Sequence, residues 1–189
     1  MKDFSNILEI GREIYRRGLT SGSGGNISIK LEDKIYITSS GAPLGFLSEK
    51  DIVEVNIDGS YSSRLKPSSE LKLHLFLYQN LDINAIIHAH PPFCLAFFKN
   101  GKNIEFTGTE ARYLLSYFKV VEDPGINISK IEDVCNALKA CPITFIKNHG
   151  SVAVGKDLME AFLLTDLLES EAKILILSHA YSCGFRNNV

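Results

Sequence analysis

The sequence predicts an α/β fold in which a mixed, largely antiparallel sheet is covered by helices on its faces. Three observations predict it. Strand-like and helix-like segments interleave along the 189 residues, as they do when helices must cover a sheet. Several strand-like segments are joined by turns too short for a helical crossover, which makes those pairs antiparallel and the sheet mixed rather than purely parallel. No repeat, linker or low-complexity stretch divides the chain, so residues 1–189 read as one domain.

Each element has its own justification. Phe4, Ile7, Leu8, Ile14 and Tyr15 fall near helical spacing and Gly18 supplies a stop, so residues 4–17 read as a helix. After the small, polar stretch LTSGSGGNIS, the segments NISIKL and KIYITSS alternate with period two and form a hairpin around Glu32-Asp33. A loop with Gly41, Pro43 and Gly45 leads to the strand DIVEVNIDG. Pro67-Ser68-Ser69-Glu70 has the chemistry of a helix start, a serine cap with an acid in the first turn, and that helix runs to about Asn80. NAIIHAH is a strand and PPFCLAFF a short helix whose prolines suit its first turn. Residues 99–117 carry no clear pattern. FKVVE reads as a strand, ISKIEDVCNALKA as a helix, ITFIK and HGSVAVG as two strands about a turn, and 157–182 as a long helix.

Composition excludes some functions. A formal net charge of −2 gives no whole-molecule field for nucleic acid or an anionic membrane. The N-terminus, MKDFSNILEIGREIYRRG, is amphipathic rather than a charged region followed by an apolar one, and no window approaches the roughly 18 apolar residues of a membrane helix. Cys94, Cys135, Cys141 and Cys183 show no metal-type spacing and read as reduced thiols. The two NIS sequons, at Asn26 and Asn127, carry no meaning without a secretory route, and the expected location is cytoplasmic.

The chemistry lies elsewhere. His88 and His90, two of five histidines, end an apolar run one residue apart. In a strand, residues i and i+2 leave the same face, so both imidazoles can reach one ion. From these residues alone a metal site and a packed strand position are equally compatible. His149 follows ITFIK and precedes Gly150, at a strand end beside a turn, and is the candidate third ligand. His179, near the end of the last helix, fits a surface or C-cap imidazole better, and His74, four residues after Glu70, fits a packed helix position. Pro67-Ser68-Ser69 offers hydroxyls and amides at a positive helix end, the ingredients of a phosphate site. Gly24-Gly25-Asn26 and Ser39-Ser40-Gly41 are two more small loops able to present N–H groups.

Together GSGGNISIK, ITSSGAPLGFLSEKDIVEVNIDG, KPSSELKLH, AIIHAHPPFCLAF and IKNHGSVAVG, in this order, resemble the class II aldolase/adducin family over roughly residues 4–180. The resemblance implies a three-layer α/β/α sandwich and a homotetramer with sites between neighbouring subunits. It implies that His88, His90 and His149 bind Zn2+ (or another divalent transition metal), with Glu70 as catalytic acid/base and further metal contact. Substrate phosphate would be held by Ser23, Gly25, Asn26, Ser40, Gly41, Ser68 and Ser69. The implied reaction is reversible cleavage of a ketose 1-phosphate, such as fuculose 1-phosphate, to dihydroxyacetone phosphate and a small aldehyde. In the family a neighbouring subunit's tyrosine handles the aldehyde-side proton. NIEFTGTEARYLLSYFKVV has none at the matching position, and Tyr113 and Tyr117 are the nearby candidates.

Two other enzyme classes fit the same scaffold, a sugar-phosphate 4-epimerase and a methylthioribulose-1-phosphate dehydratase. Glu70 favours the aldolase, because the epimerases tend to carry aspartate in that motif. A non-catalytic adducin-like interaction domain fits less well: adducin heads have lost metal ligands, and all three histidines are present here.

Overall fold

The chain was described from a computed structural model covering residues 4–99, 104–123, 125 and 127–185. It runs α1 (Ser5–Arg16), β1 (Asn26–Leu31), β2 (Lys34–Thr38), two single 3₁₀ turns (Leu44–Phe46 and Glu49–Asp51), β3 (Ile52–Asn56), α2 (Leu71–Asn80), β4 (Ala85–Ala89), α3 (Pro92–Phe98), α4 (Thr109–Leu114), β5 (Val120–Val121), α5 (Ile131–Ala140), β6 (Ile143–Ile146), β7 (Gly150–Gly155) and α6 (Leu158–Phe185). The strands form one sheet in the order β3-β2-β1-β4-β7-β6-β5. Every neighbouring pair is antiparallel except β5 with β6.

Period-two alternation gives each strand two faces. Ile27, Ile87, Phe145 and Ala153 point toward α1, α3 and α6 and join one apolar cluster. Ile35, Val53, Ile86 and Val152 point the other way, toward α2 and α5, and join a second. Helices thus cover both faces, giving the three-layer α/β/α architecture. At the sheet's centre β4 is buried at all five positions, as expected of a strand covered on both sides. No helix among the described residues is long and apolar enough to cross a membrane.

The structure departs from the sequence expectations in three places. Helix α2 begins at Leu71, so Glu70 is its N-cap rather than a first-turn acid, and no side chain caps it. Ser68 Oγ instead accepts the Glu70 N–H at 3.3 Å, closing a turn just before the helix. The strand read from FKVVE pairs over only two residues. Finally, the unpatterned stretch 99–117 contains α4, while 100–103 lie outside the described residues.

Candidate active site

The sheet assembles the three site histidines by pairing. Strand β4 carries His88 and ends at Ala89, immediately before His90, and it pairs with β7 so that His88 lies opposite Val152 and Ala89 opposite Ser151. His149 sits one residue before β7, after Asn148 in a left-handed conformation (φ 59°), and therefore arrives at the same end of the sheet. The ligand atoms of His88, His90 and His149 all lie within 4.8 Å of one another. His88 Nδ1 donates to the Ser151 carbonyl at 2.9 Å. A carbonyl only accepts, so the Nε2 lone pair of His88 is turned inward, where it stands 3.0 Å from His90 Nε2. Ligand nitrogens about 2.0–2.1 Å from a shared tetrahedral ion stand roughly 3.3 Å apart.

Electrostatics keep this cluster neutral. Burial pushes the His88 pKa well below the usual histidine value, and the neighbouring His90 and His149 push it further. Burial also lowers His90, with His149 adding to it, and lowers His149 against an opposing pull from Asp123. Neutral imidazoles are what a divalent cation requires. An all-nitrogen donor set, one tautomer fixed from outside and no proton to expel together fit a zinc-type ion.

The remaining candidates line the same cleft, about 170 Å³ in volume: Ser23, Gly25 and Asn26 from the loop into β1, Ser40 and Gly41 from the loop after β2, and Ser68, Ser69 and Glu70 before α2. Backbone contacts hold these loops together. Ser68 N–H donates to Thr38 O at 3.0 Å and Ser40 N–H to Lys66 O at 2.9 Å. Gly25 has φ 79°, and a Cβ there would lie 2.6 Å from the His88 carbonyl oxygen, so only glycine brings this loop against the histidine strand. Among the described residues, the N–H groups of Gly41 and Ser69 meet no acceptor. Buried Asn26 Oδ1 has no partner either. Free amides beside hydroxyls suit an anion.

Glu70 is buried and lines the same cleft, but its carboxylate does not join the close group formed by the three imidazoles. Burial raises its pKa, the Ile128 N–H opposes that rise, and the charge of Asp123 adds to it. The loop supplying that N–H also brings Asn127 into the cleft, a contact the sequence reading missed. Its organiser is Asp123, whose carboxylate accepts from the N–H groups of Gly125, Ser129 and Lys130 and from the Ser129 hydroxyl at 2.6–2.9 Å. Burial would raise this carboxyl, but those donors outweigh it and bring its pKa to about 2.

The other candidates lie elsewhere. His74 is fully buried on α2 with Nδ1 2.7 Å from Ser28 Oγ, a packed residue as expected. His179 is exposed near the end of α6. Tyr113 and Tyr117 stand on the surface, 81% and 71% exposed, and neither lines the cleft of its own chain.

A seven-stranded sheet of this order, with three histidines converging at one end beside glycine- and serine-rich loops, is an arrangement fit to hold a metal ion next to an anionic group. Residues 5–176 match the class II aldolase and adducin N-terminal domain, and the chain belongs to that family. The L-fuculose phosphate aldolase of Methanococcus maripaludis is 39% identical over 174 residues, covering 91% of this chain and 95% of that protein. A 3-oxo-tetronate 4-phosphate decarboxylase of Haemophilus influenzae is 31% identical over 179 residues, covering 89% and 84%. The crystal structure of L-fuculose-1-phosphate aldolase from Thermus thermophilus shares the fold at a TM-score of 0.87 and 24% identity, covering 95% of each chain.

Proposed function

We propose that this protein is a cytoplasmic, zinc-dependent aldolase that reversibly cleaves a ketose 1-phosphate, of the fuculose 1-phosphate type, to dihydroxyacetone phosphate and a small aldehyde. The observation that carries the reading is the convergence of three neutral imidazoles and one raised-pKa carboxyl on a cleft whose walls offer free amides and hydroxyls. His88, His90 and His149 would hold the ion, which when bound supplies Lewis-acid polarisation of substrate oxygens. The loops at Ser23, Gly25 and Asn26, at Ser40 and Gly41, and at Ser68 and Ser69 hold the phosphate and so orient the carbon chain against Glu70. Glu70 delivers a proton to the carbon left electron-rich when the C–C bond breaks, and removes it in the condensation direction. Its raised pKa brings it nearer to working pH, where a group can both give and take a proton.

The aldehyde-side proton needs a second group, and among the described residues no tyrosine lines the cleft within the chain. This supports sites shared between subunits of a homotetramer, in which a neighbour's side chain completes the cleft. The decarboxylase relative supports a second reading, release of CO2 from a phosphorylated keto acid on the same scaffold.

Cleavage of L-fuculose 1-phosphate by zinc-loaded protein, read as dihydroxyacetone phosphate released, tests the proposal. Release by the wild type, falling about 10²–10⁴-fold in Glu70→Gln, is the expected result. No release from protein that binds zinc stoichiometrically would overturn the fuculose-1-phosphate aldolase reading and move it to the epimerase or dehydratase, and CO2 released from a phosphorylated keto acid by the same protein would move it to the decarboxylase.

A further inference from the structure

His90 is followed by Pro91 and Pro92, and Pro92 opens α3. Proline has no amide hydrogen, so this helix start has few donors to satisfy. Leu95 N–H already donates to Pro91 O at 2.9 Å. That leaves Phe93 and Cys94, and both donate to one carboxylate from the far helix α6: Phe93 N–H to Glu169 Oε1 and Cys94 N–H to Glu169 Oε2, each at 2.9 Å. Glu169 is 8% exposed. One buried side chain therefore fixes the backbone just beyond a metal-site histidine.

His90 depends on that backbone more than His88 does. A metal-site imidazole is normally oriented by a hydrogen bond at its other ring nitrogen, and His88 has one, to Ser151. His90 Nδ1 has none among the described residues. Its ring is instead walled by two glycines, where a Cβ would come within 2.7 Å of Nδ1 at Gly24 and 2.6 Å of Cδ2 at Gly150. Such a slot fixes the ring plane but not how far the ring reaches toward His88. The reach is set by where residues 90–92 sit.

We propose that Glu169 is the positioning residue for His90: by clamping the amides of Phe93 and Cys94 it sets the reach of that imidazole into the metal site. The inference rests on the three histidines binding a metal. The structure supplies its own control two residues along α6. Glu171, 3% exposed, makes the same kind of clamp on another segment, accepting from Thr107 N–H at 3.0 Å, Thr107 Oγ1 at 3.2 Å and Gly108 N–H at 3.2 Å. It anchors α4 and lines no part of the cleft.

Zinc affinity of the purified full chain, measured by competition with a chromophoric chelator, is compared for wild type, Glu169→Gln and Glu171→Gln, with thermal unfolding of each. The expected result is lost thermal stability in both variants but weaker zinc binding, by about 10–100-fold, only in Glu169→Gln. Equal zinc affinity in all three would overturn the inference, and so would an equal loss in both variants, since that reports general loosening. If Glu169→Gln does not fold, Glu169→Asp carries the test with Glu171→Asp as its control: the charge is kept on a shorter stem, and only the former should bind zinc more weakly. A wild-type chain that takes up no zinc removes the metal reading itself, and this inference with it.

Discussion

The two faces of the sheet are made of different material. Toward α6 the central strands present hydrocarbon, with Ile27, Ile87, Phe145 and Ala153 all fully buried. Toward α2 the same strands mix hydrocarbon, Ile86, Ile146 and Val152 among it, with the polar Asn26, Ser28, His88 and Thr144, and α2 lays His74 and Tyr78 over them. Ser28 Oγ lies between His74 Nδ1 at 2.7 Å and Tyr78 Oη at 2.8 Å. Two buried polar atoms on this side, Asn26 Oδ1 and His74 Nε2, have no partner among the described residues. An unsatisfied buried group costs about 1–3 kcal/mol. Both faces bury hydrocarbon, but the α2 face gives some stability up to carry polar groups, and period-two alternation lets a single strand serve both.

The sharpest way to test that division is to empty a site on the hydrocarbon face. Phe145→Ala should lose about 3–5 kcal/mol of stability in urea unfolding while zinc affinity stays at the wild-type value. A large change in zinc binding would show that the faces are not separable. The polar face should reveal itself through pH. Burial brings the His74 pKa down from 6.5 to about 3. Above pH 6.5 both folded and unfolded forms are neutral at this position. Below it, the unfolded chain takes up a proton that the folded one refuses. Stability therefore falls as pH drops from 6.5 toward 3, by up to about 1.4 kcal/mol per pH unit. With chelator present throughout, subtracting the profile of His74→Asn isolates this slope, and a flat difference would refute it. The smallest effect lies outside both faces. Lys156 pairs with Asp82, which is almost fully exposed, and Asp82→Asn should leave the urea midpoint unchanged because solvent screens such pairs.

Much of this is legible from residue order because the relevant residues are scarce or rigid in their demands. Histidine is rare enough here that His88, His90 and His149 stand out, and glycine-serine loops announce themselves. What stays hidden is tertiary. Glu169 and Glu171 look like the solvent face of a long helix, alongside Glu160 and Asp166, and only folding shows that two of these acids turn inward to cap α3 and α4. Helix α4 itself, six residues long, has too short a period to read and draws its N-terminal acceptor from Glu171. Asn127 reads as an idle sequon because what places it, the ring of donors around Asp123, depends on a turn and not on a repeat. The serine cap expected for α2 fails for a related reason, since the hydroxyl of Ser68 is taken up by the turn before the helix.

The order of the elements also matters while the protein is being made. All seven strands have been translated by Gly155, and α6, 28 residues long, comes afterwards. Until α6 docks, the sheet face beneath it has only α1, α3 and α4 to cover it, and the carboxylates that fasten α3 and α4 are not in place. A chain whose sheet has formed but whose α6 has not docked therefore carries a bare apolar face, and that is the state in which a chaperone has most to protect.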